Sequence, residues 1–224
     1  MPGPRLARRR ASWHDPALMD TFEHLEFAFA RLLLLAMAGV VLGCAGTRYP
    51  HPTYPNSAAS ISSDVPADSD LGAIRGQYAR LTRAFGAMQV DSILAIRSLE
   101  FSATPPGAPK QDAAQMRQVL DQFFVTNKPP IKTWMTIRSA ERLGADTIRV
   151  VVLQQASRYQ DLAGKRRHVE HDVTQNETWR REGGVWKLYY VDSVRDRHRW
   201  VDGKPIDPSK PFDPKAPPYV GPAP

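Results

Sequence analysis

The sequence predicts an α+β domain in which a long, curved antiparallel sheet of about four strands packs on three N-terminal helices. Three observations carry this reading. Apolar residues recur at steps of three and four from Leu71 to Phe124. Runs rich in β-branched and aromatic residues then follow one another from Ile131 to Val194 with no further helical period. The last of them, HDVTQNETWRREGGVWKLYYVDSV (171–194), reads as a hairpin, because Gly183-Gly184 supplies the positive φ angles that a tight antiparallel turn demands.

The first helix is expected from Ser69-Asp70, which can cap it, with Leu71, Ile74, Tyr78, Leu81, Phe85 and Met88 on one stripe and Arg75, Arg80 and Arg83 off it. Asp91-Ser92 offers a second cap, followed by a short helix carrying Ile93, Leu94, Ile96 and Leu99. Thr104-Pro105-Pro106-Gly107 breaks the chain. After Asp112 a third helix presents Met116, Val119, Leu120, Phe123 and Phe124, and Pro129-Pro130 ends it.

The four strands are read at Ile131–Ala140, Thr147–Tyr159, Arg166–Arg181 and Val185–Val194, joined by turns at Leu143-Gly144-Ala145-Asp146, Asp161-Leu162-Ala163-Gly164 and Gly183-Gly184. Strict alternation in the last strand places Trp186, Leu188 and Tyr190 on one face and Val185, Lys187, Tyr189 and Val191 on the other. The Trp186 face is the expected interior. The opposite face, mixed in character, is expected to support a weak homodimer through the sheet.

Outside this domain the composition changes. Arg31 precedes the apolar stretch Leu32–Leu42, too short for a hydrocarbon core that needs about 20 residues but suited to a signal peptide. Val41-Leu42-Gly43-Cys44 resembles a bacterial lipobox, so Cys44, the one cysteine of the chain, is the expected lipidation site. A lone cysteine also rules out an intrachain disulfide framework. The organisation read is a signal peptide at 1–43, a Ser/Pro/Ala-rich disordered tether at 44–70, the domain at 71–202 and a Pro-rich disordered tail at 203–224. Ala45 after the cysteine points to the periplasmic side of the outer membrane, with the protein held in the cell envelope by lipid. The formal charge is +7, and five Arg against four acids in residues 1–43 leave +6 on the rest. These charges are interleaved rather than gathered in a stripe, which argues against nucleic acid as a partner.

The helix order, the long strands and above all Trp179, Gly183-Gly184 and Trp186-Lys187-Leu188 resemble the nuclear transport factor 2-like superfamily, with its SnoaL-like and ketosteroid-isomerase-like branches, over about Leu71 to Asp192. The resemblance implies a cone with an apolar pocket between sheet and helices, in which Trp134, Trp186, Leu188 and Tyr190 would line the site of a small apolar ligand. It also implies that a base and a donor, if there are any, correspond to Asp91, Tyr78 and Asp192. The chain departs from the family pattern between the second and third helices, where no first hairpin is legible. Read from the residues alone, Asp91 is a helix cap and Tyr78 a member of the apolar stripe.

Other chemistry finds no pattern. His168 and His171 point to opposite faces of a strand, so no metal site is read, and no Gly-rich phosphate loop or other cofactor site appears. The function expected is therefore a non-catalytic lipoprotein whose cone binds a small ligand or a partner. The alternative is a pocket enzyme of the isomerase, dehydratase or cyclase type.

Overall fold

The computed structural model describes residues 51–104 and 110–220. The expected signal peptide at 1–43, Cys44 and the Pro105–Pro109 stretch lie outside the described residues. Three helices, α1 (Ser69–Gly86), α2 (Val90–Leu94) and α3 (Ala113–Thr126), cover one face of a curved mixed sheet. Its long strands are β4 (Asn127–Gly144), β5 (Thr147–Leu162), β6 (Lys165–Glu182) and β7 (Val185–Val201), and its short ones β1 (Ala59–Ile61), β2 (Arg97–Ala103), β3 (Gln111–Asp112) and β8 (Lys204–Ile206). The order across the sheet is β1-β4-β5-β6-β7-β2-β3, with β8 also paired to β7.

Local chemistry sets these elements. Asp68, rather than Ser69, caps α1 by accepting from Asp70 N at 2.7 Å, and Asp112 caps α3 in a reciprocal box with Gln115. Gly183 and Gly184 sit at φ 57° and 80°, the mirror-image turn expected between β6 and β7. The start of α1 is pinned to the sheet by Asp70, whose carboxylate takes Arg142 at 2.8 Å, Arg181 at 2.5 Å and Trp186 Nε1 at 3.2 Å. Ile74, Tyr78, Ile137, Val152 and Trp179 are fully buried where α1 crosses the concave face.

Several expectations are corrected. The second helix stops at Leu94, and Arg97–Ala103 is drawn into strand β2 because the edge of β7 leaves backbone groups to be paired, beginning with Leu188 N to Ile96 O at 3.0 Å. Leu99, expected on a helical stripe, is consequently exposed. β2 and β3 pair antiparallel through Ser102/Asp112 and Ala103/Gln111, supplying the first hairpin that the sequence hid. The segment read as a disordered tether contains β1, parallel to β4, and the tail begins with β8.

Alternation along β7 is broken twice. Tyr190 pairs with Thr178 while Leu188 pairs with Trp179, so Tyr189 is the extra residue of a bulge, and Asp192 is skipped in the same way between Val191 and Ser193. Tyr190 therefore leaves the face of Trp186 and Leu188. Val191 moves onto the concave side opposite Glu177 and packs against the core. The expected apolar patch for a dimer thus loses Val191. Part of the outer face is also covered by the chain itself: Tyr54 stacks on Trp134 at 4.1 Å, and Tyr54 and His51 reach Glu170 at 2.6 and 2.8 Å.

Trp186 is buried and Tyr189 only half-buried, with the Arg180 guanidinium 3.7 Å over its ring. Trp186→Ala should lower the unfolding free energy by about 3–5 kcal/mol, against about 1 kcal/mol for Tyr189→Ala. Urea denaturation of the two variants checks this, and equal losses would contradict the face assignment.

Candidate functional site

The alternation of β6 places Gln175, Glu177 and Trp179 on the concave face, opposite Val152, Val150 and Ile148 of β5. α1 lays Tyr78 across them. The Tyr78 hydroxyl donates to Glu177 Oε2 at 2.6 Å. Trp179 Nε1–H lies 3.1 Å from the same oxygen and 3.2 Å from the Tyr78 hydroxyl, and Gln175 Nε2 donates to Glu177 Oε1 at 2.7 Å and to Gln154 Oε1 at 3.3 Å. The Tyr78 and Trp179 rings meet edge to face with centroids 5.1 Å apart. Glu177 is almost wholly out of solvent.

Burial raises the Glu177 carboxyl above its ordinary range, although the hydrogen bonds from Tyr78, Trp179 and Gln175 and the charge of Arg97 all pull it down. Burial and the neighbouring carboxylate push Tyr78 well up, so its hydroxyl stays protonated and donates. Arg97, at the start of β2, is pushed down to about 10 by burial. Its guanidinium lies 4.6 Å over Phe101, and its Nε and Nη1 find no hydrogen-bond partner among the described residues. The result is an acid and a phenol sealed into the floor of the fold, with a half-buried cation near them.

A second polar group occupies the other end of the same face. Arg158 on β5, His171 on β6 and Arg199 on β7 are near neighbours across the register, with Asn127, Gln160 and the Phe123 ring of α3 beside them. Arg158 Nε donates to Asn127 Oδ1, and its Nη1 lies 2.5 Å from His171 Nδ1. Burial and the charge of Arg199 hold Arg158 down to about 9.

Of the candidate base and donor residues read from sequence, Tyr78 joins this chemistry. Asp91 is exposed on the first turn of α2 and pairs with Arg117 at 2.5 Å. Asp192 is half-buried at the second bulge of β7. Trp186 and Leu188 are buried in the packed core, whereas Trp134 and Tyr190 lie on the outward side, under Tyr54 and hydrogen-bonded to Thr104 Oγ1 at 2.9 Å respectively. His168 and His171 fall on opposite faces, facing Ser157 and Arg158. Glu177 was missed. Its signal was the parity it shares with Trp179 and Val173 on a strand whose interior face Trp179 defines.

No family model matches the sequence, and no curated protein matches it. Among solved structures, a protein provisionally assigned as a scytalone dehydratase from Novosphingobium aromaticivorans DSM 12444 superposes with a TM-score of 0.52 at 9% identity, over 69% of this chain and 95% of that one. The fold is the nuclear transport factor 2-like cone. A type 2 hexachlorocyclohexane dehydrochlorinase (TM-score 0.49, 13% identity, 66% and 95% covered) and a ketosteroid isomerase-like protein from Erwinia carotovora atroseptica (0.45, 15%, 56% and 95%) are also similar. At these identities the likeness is one of fold.

Since burial raises Glu177, its neutral form is favoured in the folded chain, and the penalty for ionising it appears as pH climbs above the ordinary carboxyl range of about 4.3. Glu177→Gln removes that penalty. Between pH 4 and pH 8 the stability of this variant relative to wild type should improve. Urea midpoints at the two pH values measure it, and an unchanged or opposite difference would contradict the assignment.

Proposed function

We propose that the protein is a cell-envelope lipoprotein, anchored through Cys44 on the periplasmic side of the outer membrane, whose cone is a binding domain rather than an active site. The observation that supports the binding reading is the burial of Glu177 among its own donors. Both carboxylate oxygens already accept hydrogen bonds from the chain, and the Tyr78 and Trp179 rings beside them are fully buried. A general base needs a lone pair within hydrogen-bond reach of a substrate proton. Here three donors occupy the two oxygens, and burial to 2% exposure keeps the remaining lone pair of Oε1 from solvent.

A second reading is favoured by one feature of the same site. A carboxyl raised by burial next to a protonated phenol is the pairing that proton transfer next to a carbonyl uses, and the neighbours named above include a dehydrochlorinase and a provisionally assigned dehydratase. An enzyme of the isomerase, dehydratase or cyclase type would use Glu177 as base and Tyr78 as donor.

Cells fed tagged palmitate and expressing the full chain or its Glu177→Gln form decide between them. The wild-type chain should carry the label and Cys44→Ala should not. Native mass spectrometry should find the same small molecule retained by wild type and Glu177→Gln. Equal labelling of Cys44→Ala would sink the lipoprotein reading, and a retained molecule of different mass in Glu177→Gln would identify an unconverted substrate and favour the enzyme.

A further inference from the structure

The two ends of the sheet differ in how their basic side chains are held. At the end that carries the β4–β5 and β6–β7 turns, Arg142, Arg180 and Arg181 take the carboxylates of Asp70, Glu100 and Asp70 at 2.8, 2.9 and 2.5 Å. At the other end the β5–β6 turn presents Lys165 and Arg166 to solvent, and the β7–β8 turn presents Lys204. Register joins these turns to the start of β4, where Lys128 pairs with Tyr159 and Tyr159 with His168. Lys128 Nζ donates to Val125 O at 2.6 Å and Arg166 Nη2 to Pro129 O at 2.7 Å, so carbonyl oxygens fix both in place while their charge is kept. Asp202 takes Arg167 at 2.7 Å. Residues 127–130, 159–168 and 201–204, which form this end, carry five Lys and Arg against Asp161 and Asp202, a formal +3.

Apolar groups sit among these charges. Val125, in the last turn of α3, is 63% exposed, Pro129 and Pro130 are exposed beside it, and Leu162 is half-buried at the β5–β6 turn. Basic side chains around a few exposed apolar ones suit the surface of anionic lipid. The chain's own connectivity selects the same end. His51 and Tyr54 are bound to Glu170, and Thr53 O accepts from Gln155 Nε2 at 3.2 Å. Cys44 lies seven residues before His51, and a chain spans at most about 3.6 Å per residue, so a lipid on Cys44 is tied within about 25 Å of His51. Along β6, Arg167 is three residues from Glu170 and the Gly183-Gly184 turn thirteen, about 10 Å against about 40 Å of strand. The basic end is the one that such a lipid holds near the bilayer.

We propose that this end of the sheet, from Val125 and Lys128 across the β5–β6 turn to Lys204, is the surface by which the domain lies against an anionic phospholipid bilayer. The proposal rests on the reading of the chain as a lipoprotein and adds which end of the domain meets the membrane. An anchor raises the effective concentration of the bilayer, so a contact too weak to hold a free protein can orient a tethered one. The attraction is screened beyond about 8 Å at physiological ionic strength, so the contact is lost in high salt.

Flotation and amine footprinting test this on the chain purified with its lipid and added to preformed vesicles, either neutral phosphatidylcholine or phosphatidylcholine mixed with anionic phosphatidylglycerol. The chain should float with both. On anionic vesicles acetylation of Lys165 and Lys204 should slow at least threefold relative to neutral ones, with Lys187 near the opposite end unchanged, and high salt should abolish the difference. Lys165→Glu combined with Arg166→Glu should return Lys204 to its rate on neutral vesicles. Equal rates at Lys165 and Lys204 on the two vesicles, or slowing that Lys187 shares, overturn the proposal and leave the lipid anchor standing; failure to float with neutral vesicles removes the anchor and the proposal with it. If the double variant does not fold, as judged by its melting curve, the comparison of the two vesicles on the wild-type chain still decides.

Discussion

A carboxyl group with no access to water must have its oxygens engaged, or the fold that buries it is destabilised by several kcal/mol. Glu177 imposes this condition at the centre of the domain. It is met only when α1 presents Tyr78 at the right turn, when Trp179 stands two residues along the same strand, and when Gln175 stands two residues back. The position of the first helix on the sheet, the parity of β6 and the seating of its largest aromatic are therefore one problem with one solution. Asp70 fixes the other end of that arrangement, holding the first turn of α1 to Arg142, Arg181 and Trp186. Between the two acids the helix has little freedom to slide.

The same concave face carries opposite electrostatics at its two ends. Near Trp179 an acid is hydrogen-bonded through both oxygens and packed among apolar side chains. Near Arg158 cations are held by amides and an imidazole. The burial of Glu177 among its donors, rather than its acidity alone, orders the functional reading. On the outer face, His51 and Tyr54 engage Glu170 from a segment that composition alone marks as unstructured. The chain thus approaches the domain along the sheet rather than as a free tether.

Much of the fold was legible because local chemistry and global pattern agree: the stripe of α1, the capping box at Asp112 and the glycine pair at 183–184 each specify their element. What was illegible has physical reasons. A bulge leaves no mark on composition, so the extra residue Tyr189 reversed the expected faces of Tyr190 and Val191, and the second extra residue, Asp192, restored the alternation after them. β1, β2 and β8 are recruited by the edges of long neighbours, and short runs such as Ala59–Ile61 carry too little pattern to announce it. Asp91 drew attention through its place before a helix, whereas Glu177 sat inside a strand between Asn176 and Thr178. Strand parity with Trp179 would have found it. The polar group around Arg158 depends on three strands in register and could not be read from any one of them.

The claim that Tyr78 and Glu177 form the junction on which the domain depends is tested most directly by a double-mutant cycle. Tyr78→Phe, Glu177→Gln and the double variant are compared with wild type by urea denaturation at pH 7. The account predicts a coupling energy of about 1–3 kcal/mol, as for a buried hydrogen bond whose loss leaves a partner unsatisfied. Single losses that simply add would contradict it, since the two side chains would then stabilise the fold independently.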